Sequence, residues 1–388
     1  MITENLLSCC GCLACGKACP KGAISFVENK EGFLYPKIAN DLCINCGICN
    51  KVCPLNNQII TNQTQNGYTI KSNDSNIRKE ASSGGLVTQL LKHKILSGWS
   101  CYGVRFTDDF SSLINTKVES VNDLQKFSGS KYFQSSMDKV YHNVENDLKN
   151  NQNVLFVGTP CQLNGIVNYL SFKKISLEHF YSVDLVCHGV SSPEVWKQYK
   201  SLQEGKYKSK IKYVNFRYKT FGYHNSTMKL GFENGKDYYG SGRVDYMLKP
   251  FFSEISSRMS CYDCVFKTNN RISDITVFDG WYYHEITGLT DDNKGYTNAI
   301  INSDKGYSLL QSLAPYVSMV EANVEKMINC DGIMYNNSAK QHQYRVEFMQ
   351  GLKENGLQSQ IKRYIPVSCK DRLIELLKNV YYFKRRNK

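Results

Sequence analysis

Long apolar runs are missing from this sequence of 388 residues, in which no stretch approaches 18 consecutive apolar residues. A helix that crosses a bilayer needs about 20 such residues, so we predict no transmembrane helix. The N-terminus also lacks the basic stretch and apolar core of an export signal, which favours a cytoplasmic protein with reduced thiols. No nucleic-acid recognition motif accompanies the basic residues. These absences leave a soluble globular protein as the expected class.

Cysteine, by contrast, is abundant, with 16 residues in the chain. Eight of them form two runs with the spacing C-x2-C-x2-C-x3-C-P, namely Cys9, Cys12, Cys15 and Cys19, then Cys43, Cys46, Cys49 and Cys53. Bacterial ferredoxins use this spacing, and the fourth cysteine of each run binds the other cluster of the pair. We therefore expect one 4Fe–4S cluster on Cys9, Cys12, Cys15 and Cys53, and a second on Cys43, Cys46, Cys49 and Cys19.

Disulfides and zinc are the alternatives for these eight cysteines. A disulfide scaffold requires export, and zinc favours two CxxC pairs over two runs of four that end in proline. The sequence therefore predicts a bacterial-type, two-cluster ferredoxin domain over residues 1–56, followed by a polar linker over residues 57–66. Cys10 is left over, and we expect it to be a buried or alternative thiol.

Strand and helix patterns alternate after the linker. Strands are predicted at 68–71, 100–106, 153–157 and 180–186, and helices at 85–96, 140–149, 162–170 and from Pro193 onward. Residues 211–245 have the pattern of antiparallel strands joined by turns. The predicted fold class is therefore α/β, with a mixed sheet flanked by helices and the small ferredoxin domain in front.

The formal charge of +13 is concentrated toward the C-terminus, where residues 361–388 carry nine Lys or Arg and two acidic residues. Three bound clusters, each about −2, would lower the total charge to about +7. Apolar residues in the same stretch recur with helical spacing, so a basic amphipathic helix is expected there. Such a helix suits an anionic membrane surface or an acidic protein, but packing on its own domain is the preferred interpretation.

A second set of cysteines follows the predicted strands. Cys161 and Cys187 each come directly after a strand, and Cys261 and Cys264 form a CxxC. Four thiolates at one edge of the sheet would hold a cluster, but the spacing also fits a redox disulfide, a zinc half-site or buried thiols. Ordinary thiols are expected at the three remaining positions, Cys101, Cys330 and Cys369.

Two small-residue segments are candidates for binding a cofactor phosphate. Ser82, Ser83, Gly84 and Gly85 lead directly into a predicted helix, with Thr88 in its first turn. A serine N-cap and two glycines would let a phosphate approach the helix N-terminus, although capped helices usually bind nothing. The second segment contains Ser130, Lys131 and Tyr132. Lys131 is a candidate for a phosphate or a flavin carbonyl, but a solvated lysine is the ordinary alternative.

Together these segments resemble the beta-subunit family of coenzyme F-420 hydrogenase/dehydrogenase. The resemblance rests on SSGGLVTQLL, GSKYFQS, GTPCQ, DLVCHGVSSP, CYDCVFK and RISDITVFDGW, in that order between residues 82 and 281. It implies a third cluster on Cys161, Cys187, Cys261 and Cys264. It also implies FAD at the SSGG and GSKY segments. We accordingly divide the chain into a flavin-binding part over 67–150, a part with the proximal cluster over 151–325, and a helical basic tail over 326–388.

The function that this resemblance implies is an iron–sulfur flavoprotein oxidoreductase. Electrons would pass from a ferredoxin-like donor or partner subunit through the clusters to FAD and on to a small acceptor. A non-catalytic electron-transfer subunit, a deazaflavin-coenzyme oxidoreductase and an oxygen-sensing regulator are the alternatives. No catalytic residue is assigned, since His188 is expected to hydrogen-bond near the cluster and the roles of Asp279 and Trp281 stay open.

Overall fold

A computed structural model describes residues 6–59 and 65–386, with the backbone alone for residues 382–386. Half of the predicted linker, residues 60–64, therefore lies outside the described residues. The same holds for Lys388 and for the side chains of Lys384, Arg385 and Arg386 in the predicted basic tail.

The cysteine-rich N-terminal module consists of two short helices around a hairpin. Its elements are α1 (Ala14–Ala18), β1 (Ile24–Glu28), β2 (Leu34–Ile38) and α2 (Ile48–Lys51). Each helix follows a residue with positive φ, Leu13 at 69° and Gly47 at 71°, so each cysteine run turns sharply before its helix begins. The predicted small N-terminal domain is thus confirmed as a folded unit.

The rest of the chain begins with a strand at Asn66 and supplies most of the sheet structure. Its strands are β3 (Asn66–Ser72), β4 (Ser100–Phe106), β5 (Leu113–Lys117), β6 (Ser135–Ser136), β7 (Val154–Gly158), β8 (Phe180–Leu185), β9 (Ile211–Asn215), β10 (Thr227–Phe232), β11 (Asp237–Ser241), β12 (Ile275–Gly280), β13 (Tyr296–Ile301) and β14 (Val317–Ala322). Among the described residues, nine of these strands form one sheet in the order β14-β3-β13-β12-β8-β7-β4-β5-β6.

This large sheet is parallel in its centre and mixed at its edges. Strands β12, β8, β7 and β4 run parallel, whereas β14, β3 and β13 add antiparallel strands on one side and β5 pairs antiparallel on the other. The predicted mixed sheet is therefore confirmed. Both predicted parts, 67–150 and 151–325, contribute strands to it, because β7 inserts beside β4.

Helices cover both faces of the sheet. They are α3 (Ser75–Glu80), α4 (Leu86–Leu96), α5 (Leu124–Phe127), α6 (Val140–Lys149), α7 (Pro160–Phe172), α8 (Pro193–Tyr207), α9 (Leu248–Phe252), α10 (Tyr283–Thr287), α11 (Asp304–Gln311), α12 (Val324–Asp331), α13 (Arg345–Gln350), α14 (Leu352–Tyr364) and α15 (Cys369–Arg386). The core of α6 and α7 contains Phe156, whereas the core of α4 and α11 contains its neighbour Leu155. Successive residues of a strand point to opposite faces, so β7 is buried on both sides.

The segment predicted as a basic tail is largely part of the core. Helices α13 and α14 bury Phe348, Leu352 and Ile361 against α8 and the small antiparallel sheet of β9, β10 and β11. Only α15 resembles the predicted tail, and Glu375 binds it to the body by accepting hydrogen bonds from the amide (2.9 Å) and hydroxyl (2.5 Å) of Ser241. The helical prediction for 326–388 covers α13 and α14, but their burial was not expected, because their apolar residues are spread among charged ones.

The N-terminal module packs directly on α7, at a glycine. A Cβ atom added at Gly165 would lie 2.9 Å from Cβ of Cys12 and 2.9 Å from the hydroxyl of Tyr141, which itself donates a 2.7 Å hydrogen bond to the Cys12 carbonyl. The close approach of the first cysteine run therefore depends on a missing side chain. This contact joins the module to the sheet domain through buried apolar surface.

Gly165→Ala is expected to lower the free energy of unfolding by about 1–3 kcal/mol, because the added methyl overpacks this contact. Gly205→Ala is the matched control: it is also helical, and no described atom lies within 4 Å of its added Cβ. Alanine there should be neutral or stabilising by up to about 1 kcal/mol. Denaturant unfolding followed by circular dichroism measures both variants. Equal stabilities would show that Gly165 is not needed for the module's close approach.

Candidate iron–sulfur and flavin sites

The structure brings together the first predicted ligand set across the two cysteine runs. Burial, followed by the nearby thiols of Cys9 and Cys53, raises the pKa of Cys15 to about 12. Burial also raises the pKa of Cys53, with Cys9 and then Cys49 contributing. The fourth cysteine of the second run therefore lies with the first run, as the ferredoxin spacing predicts.

The second predicted ligand set surrounds a cavity of about 280 Å³. Cys19 from the first run lines it together with Cys43, Cys46 and Cys49 from the second run. The remaining lining is mainly apolar, including Ile24, Ile38 and Ile48. Four thiols around a largely apolar cavity suit a cluster, although Cys46 and Ile44 at its rim are exposed.

Within residues 6–59 and 65–386, no three His, Cys, Asp or Glu side chains are placed to hold a single metal ion.

The four proximal cysteines also converge. Strands β7 and β8 are parallel neighbours, so Cys161 and Cys187, which follow them, lie at the same edge of the sheet. Burial, followed by Cys187, raises the pKa of Cys261, and Cys161 and Cys264 add to this effect. A Cβ added at Gly189 would lie 3.3 Å from Cβ of Cys261, so the two loops approach closely.

Polar groups surround these four thiols. The amide of Gly189 donates to Sγ of Cys187 over 3.4 Å, and the hydroxyl of Thr159 lies 3.2 Å from Sγ of Cys161. The ammonium of Lys267 donates to the carbonyls of Cys187 and Met334. Because burial holds the pKa of Cys264 at about 11, cluster binding must remove protons from this site.

Cys10 connects the N-terminal module to the proximal site. A contact with the Cys10 thiol, followed by burial, raises the pKa of Cys161 well above its usual value. Gln134 holds the same loop by donating a 3.0 Å hydrogen bond to the Cys10 carbonyl. Cys10 was predicted only as a buried or alternative thiol. Its contact with Cys161 was not predicted, because no spacing rule applies to a single extra cysteine. Cys101 is a buried thiol within β4, as expected.

The two predicted flavin segments meet. The amide of Ser130 donates a 2.7 Å hydrogen bond to the hydroxyl of Ser82, and the hydroxyl of Thr88 lies 3.3 Å from that of Ser128. We call this contact region the loop junction, and it comprises Ser82–Gly85, residues 129–132, Arg217 and Asp279. Sequence separation concealed this contact, because the segments are more than forty residues apart.

The predicted serine N-cap at this junction is wrong. Helix α4 begins at Leu86 after Gly85, which has a φ of 89° and makes no side-chain cap. The hydroxyl of Ser83 lies 2.8 Å from that of Thr297, which also accepts from the Gly84 amide at 3.0 Å. Ser83 therefore fastens the loop to β13, whereas Ser82 binds Ser130, and the N-terminus of α4 lacks a side-chain cap.

The side chain of Lys131 binds backbone carbonyls of its own loop. Its ammonium donates to the carbonyls of Phe127, Ser128 and Gly129 at 2.9, 3.0 and 3.1 Å. Burial lowers the pKa of Lys131 to about 7. The solvated-lysine alternative is thus wrong, and direct binding of a phosphate by Lys131 stays a prediction.

Arg217 is the candidate binding residue that sequence reasoning missed. It lies after β9, donates a 2.8 Å hydrogen bond to Asp279, and stacks 4.4 Å from the ring of Trp281. Burial opposes its charge, but Asp279 and Tyr132 keep its pKa above the usual value. Its Nη2 atom is buried and has no hydrogen-bond partner among the described residues. An unsatisfied buried donor of this kind indicates a missing acceptor.

The loop junction and the proximal cysteines are neighbours. The amide of Ser191 donates a 3.0 Å hydrogen bond to the Tyr132 carbonyl, which ties the GSKY segment to the loop after Cys187. Enclosure by the protein, and after it Lys267, lowers the pKa of His188 to about 4, although the residue keeps an exposed surface. Asp279 and Arg217 act on the same ring. His188 thus lies between the two sites.

Comparison with known proteins agrees with this arrangement. Residues 151–326 match the family described as the C terminus of the coenzyme F420 hydrogenase/dehydrogenase beta subunit, and residues 8–57 match the 4Fe-4S dicluster domain. The resemblance is therefore confirmed: the chain joins a 4Fe–4S dicluster domain to a beta-subunit domain of this oxidoreductase family. The described residues contain no helix long and apolar enough to cross a membrane.

Two relatives are similar over part of the chain. The coenzyme F420-dependent sulfite reductase of Methanocaldococcus jannaschii is 29% identical over 168 residues, which are 41% of this chain and 24% of that protein. A subunit of the F(420)H(2) dehydrogenase of Methanosarcina mazei is 24% identical over 163 residues, 40% of this chain and 46% of that protein. The alignments thus span less than half of either relative.

A solved structure shows a looser similarity. A chain of the F420-reducing [NiFe] hydrogenase complex from Methanosarcina barkeri aligns with a TM-score of 0.46 and 14% identity. The alignment covers 81% of this chain and 96% of that chain.

Proposed function

We propose that this chain is an iron–sulfur flavoprotein oxidoreductase that moves electrons between a ferredoxin-like donor or partner subunit and a small acceptor. One observation carries the proposal: described contacts link the N-terminal module, the proximal cysteines and the loop junction. Cys53 lies near Cys9 and Cys15 of the first run, the Cys10 thiol contacts that of Cys161, and the Ser191 amide ties the loop after Cys187 to the Tyr132 carbonyl at 3.0 Å.

The described residues fit the groups that this proposal needs. Two clusters would be held by the module's eight cysteines, and the third by Cys161, Cys187, Cys261 and Cys264. FAD would be held at the loop junction. The start of α4, which has no side-chain cap, and the unsatisfied Nη2 of Arg217 would donate hydrogen bonds to its phosphates. When bound, such clusters exchange single electrons and a flavin exchanges two.

The protein's own side chains hold these sites in place and supply positive charge beside them. Tyr141 and Gln134 fix the first cysteine run to the sheet domain through its backbone carbonyls. Lys267 and Arg217 place positive charge beside the proximal cysteines and the loop junction, where negative groups would bind.

Anaerobic purification followed by assays of iron, acid-labile sulfide and released flavin tests this proposal. We expect about twelve irons and one FAD per chain, four irons for each cluster. About eight irons without flavin would leave only the N-terminal module as a redox unit. The flavoprotein assignment would then be abandoned.

Deazaflavin-coenzyme oxidoreduction is the second candidate, because both partial relatives carry this coenzyme in their names. Its test is anaerobic addition of the reduced coenzyme while the visible spectra of cluster and flavin are recorded. Bleaching would support this candidate, and an unchanged spectrum would reject it. A third candidate, an electron-transfer subunit without its own substrate, is favoured because one of the two relatives is itself named as a subunit.

A further inference from the structure

Arg258 is a buried cation that joins the N-terminal module to the sheet domain. Its side chain is fully buried, with 0% of its surface exposed. Its Nε donates to the carbonyl of Cys9 at 2.6 Å, Nη1 to Oε1 of Gln134 at 2.8 Å, and Nη2 to the carbonyl of Leu34 at 2.9 Å. The guanidinium also lies 4.2 Å from the ring of Tyr35. All of these partners are neutral.

The charge of Arg258 has no carboxylate partner in the part of the chain that the structure describes. Arg345 provides a comparison, since it is also buried and also joins the module to the sheet domain. Arg345 forms a bidentate ion pair with Glu31, at 2.5 and 2.6 Å. A buried charge without a counter-ion is costly, so Arg258 requires negative charge from another source.

Arg258 is placed between two cysteine sites. Its side chain contacts Cys9 of the module, and its own carbonyl accepts a 2.9 Å hydrogen bond from the amide of Cys261. Its amide donates at 3.0 Å to the carbonyl of Val190, in the loop that follows Cys187. One residue thus connects a ligand of the first ferredoxin cluster with a ligand of the proximal cluster.

We propose that Arg258 raises the reduction potential of the clusters at Cys9 and Cys261, and that their negative charge is its counter-ion. The inference rests on the proposed function, because it needs clusters at both sites. Reduction adds one negative charge to a cluster, and a buried cation nearby stabilises the reduced form. Arg258 therefore acts through its charge on the reduction potentials of the clusters, and no role in substrate binding is assigned to it.

The test measures cluster potentials in the full, anaerobically purified chain by a redox titration followed with electron paramagnetic resonance. Arg258→Gln removes the charge and keeps a hydrogen-bond donor, so we expect lower potentials for the clusters at Cys9 and Cys261. Arg258→Lys keeps the charge and should keep the potentials near those of the wild type. The matched control is the double variant Glu31→Gln with Arg345→Gln, which removes a neutralised pair and should leave the potentials unchanged.

Each result decides the proposal. Wild-type potentials in Arg258→Gln, with full iron content, would overturn it, as would an equal shift in the double variant. If Arg258→Gln loses iron, the test passes to Arg258→Lys. Full iron content and unchanged potentials in that variant would support the proposal that the clusters need a positive charge at this position. Loss of iron or a lowered potential in Arg258→Lys as well would assign the effect to the guanidinium shape and overturn the proposal. Fewer than about twelve irons in the wild type would instead contradict the proposed function.

Discussion

If the proposed third cluster is present, replacement of Cys261 by alanine is expected to remove about four of about twelve irons per chain, because the cubane loses one of its four thiolate ligands. The position of this thiol near Cys161, Cys187 and Cys264 supports the effect. Iron and acid-labile sulfide assays after anaerobic purification measure it. The visible absorption of the two clusters proposed for the N-terminal module should persist, since their eight proposed ligands are unchanged.

Cys330→Ala is the matched control for this experiment. Cys330 lies near the end of α12, partly exposed and outside the three cysteine sets. Its replacement should leave the iron content unchanged. Wild-type iron content in both variants would exclude Cys261 as a ligand. An equal loss of iron from both variants would indicate general instability of the chain. Circular dichroism spectra of both proteins distinguish the second case.

Arg217→Met is expected to weaken FAD binding by about 10- to 100-fold. The variant removes the buried Nη2 donor, which has no hydrogen-bond partner among the residues that the structure describes. A hydrogen bond from a charged group contributes about 1.5–3 kcal/mol, and about 1.4 kcal/mol corresponds to a tenfold change in Kd. Fluorescence titration of the flavin-free protein with FAD measures the dissociation constant. Iron content should stay at the wild-type level, because Arg217 contacts no cysteine of the three sets.

Arg105→Met is the control for Arg217→Met. Arg105 lies on β4 of the same large sheet and pairs at 2.9 Å with the exposed Asp108. Its loss removes a cation but no unsatisfied buried donor, so FAD binding should be unchanged. Unchanged FAD binding in Arg217→Met would remove Arg217 from the loop junction's proposed role and leave its pairing with Asp279 as a structural contact.

The sequence by itself determined the features that depend on local spacing. The two cysteine runs predicted the module and the exchange of its fourth ligands, because a short loop leaves the thiols few alternative positions. The sequence patterns predicted α4, β4, α6, α7 and β8, because the spacing of apolar residues along the chain follows the period of the buried face of a helix or strand. The segments that resemble the family likewise placed Cys161, Cys187, Cys261 and Cys264 at one site.

Only the tertiary structure decided which distant residues meet. The pairing of Arg217 with Asp279 and the contact of Arg258 with Cys9 join residues far apart in the chain, and no local pattern marks either arginine. The capping prediction at Ser82–Gly85 failed for the same reason, because Thr297 and Ser130 compete for the serine hydroxyls. Spacing determines what one loop can bind, whereas packing of separate elements determines which charges and donors remain unsatisfied beside it.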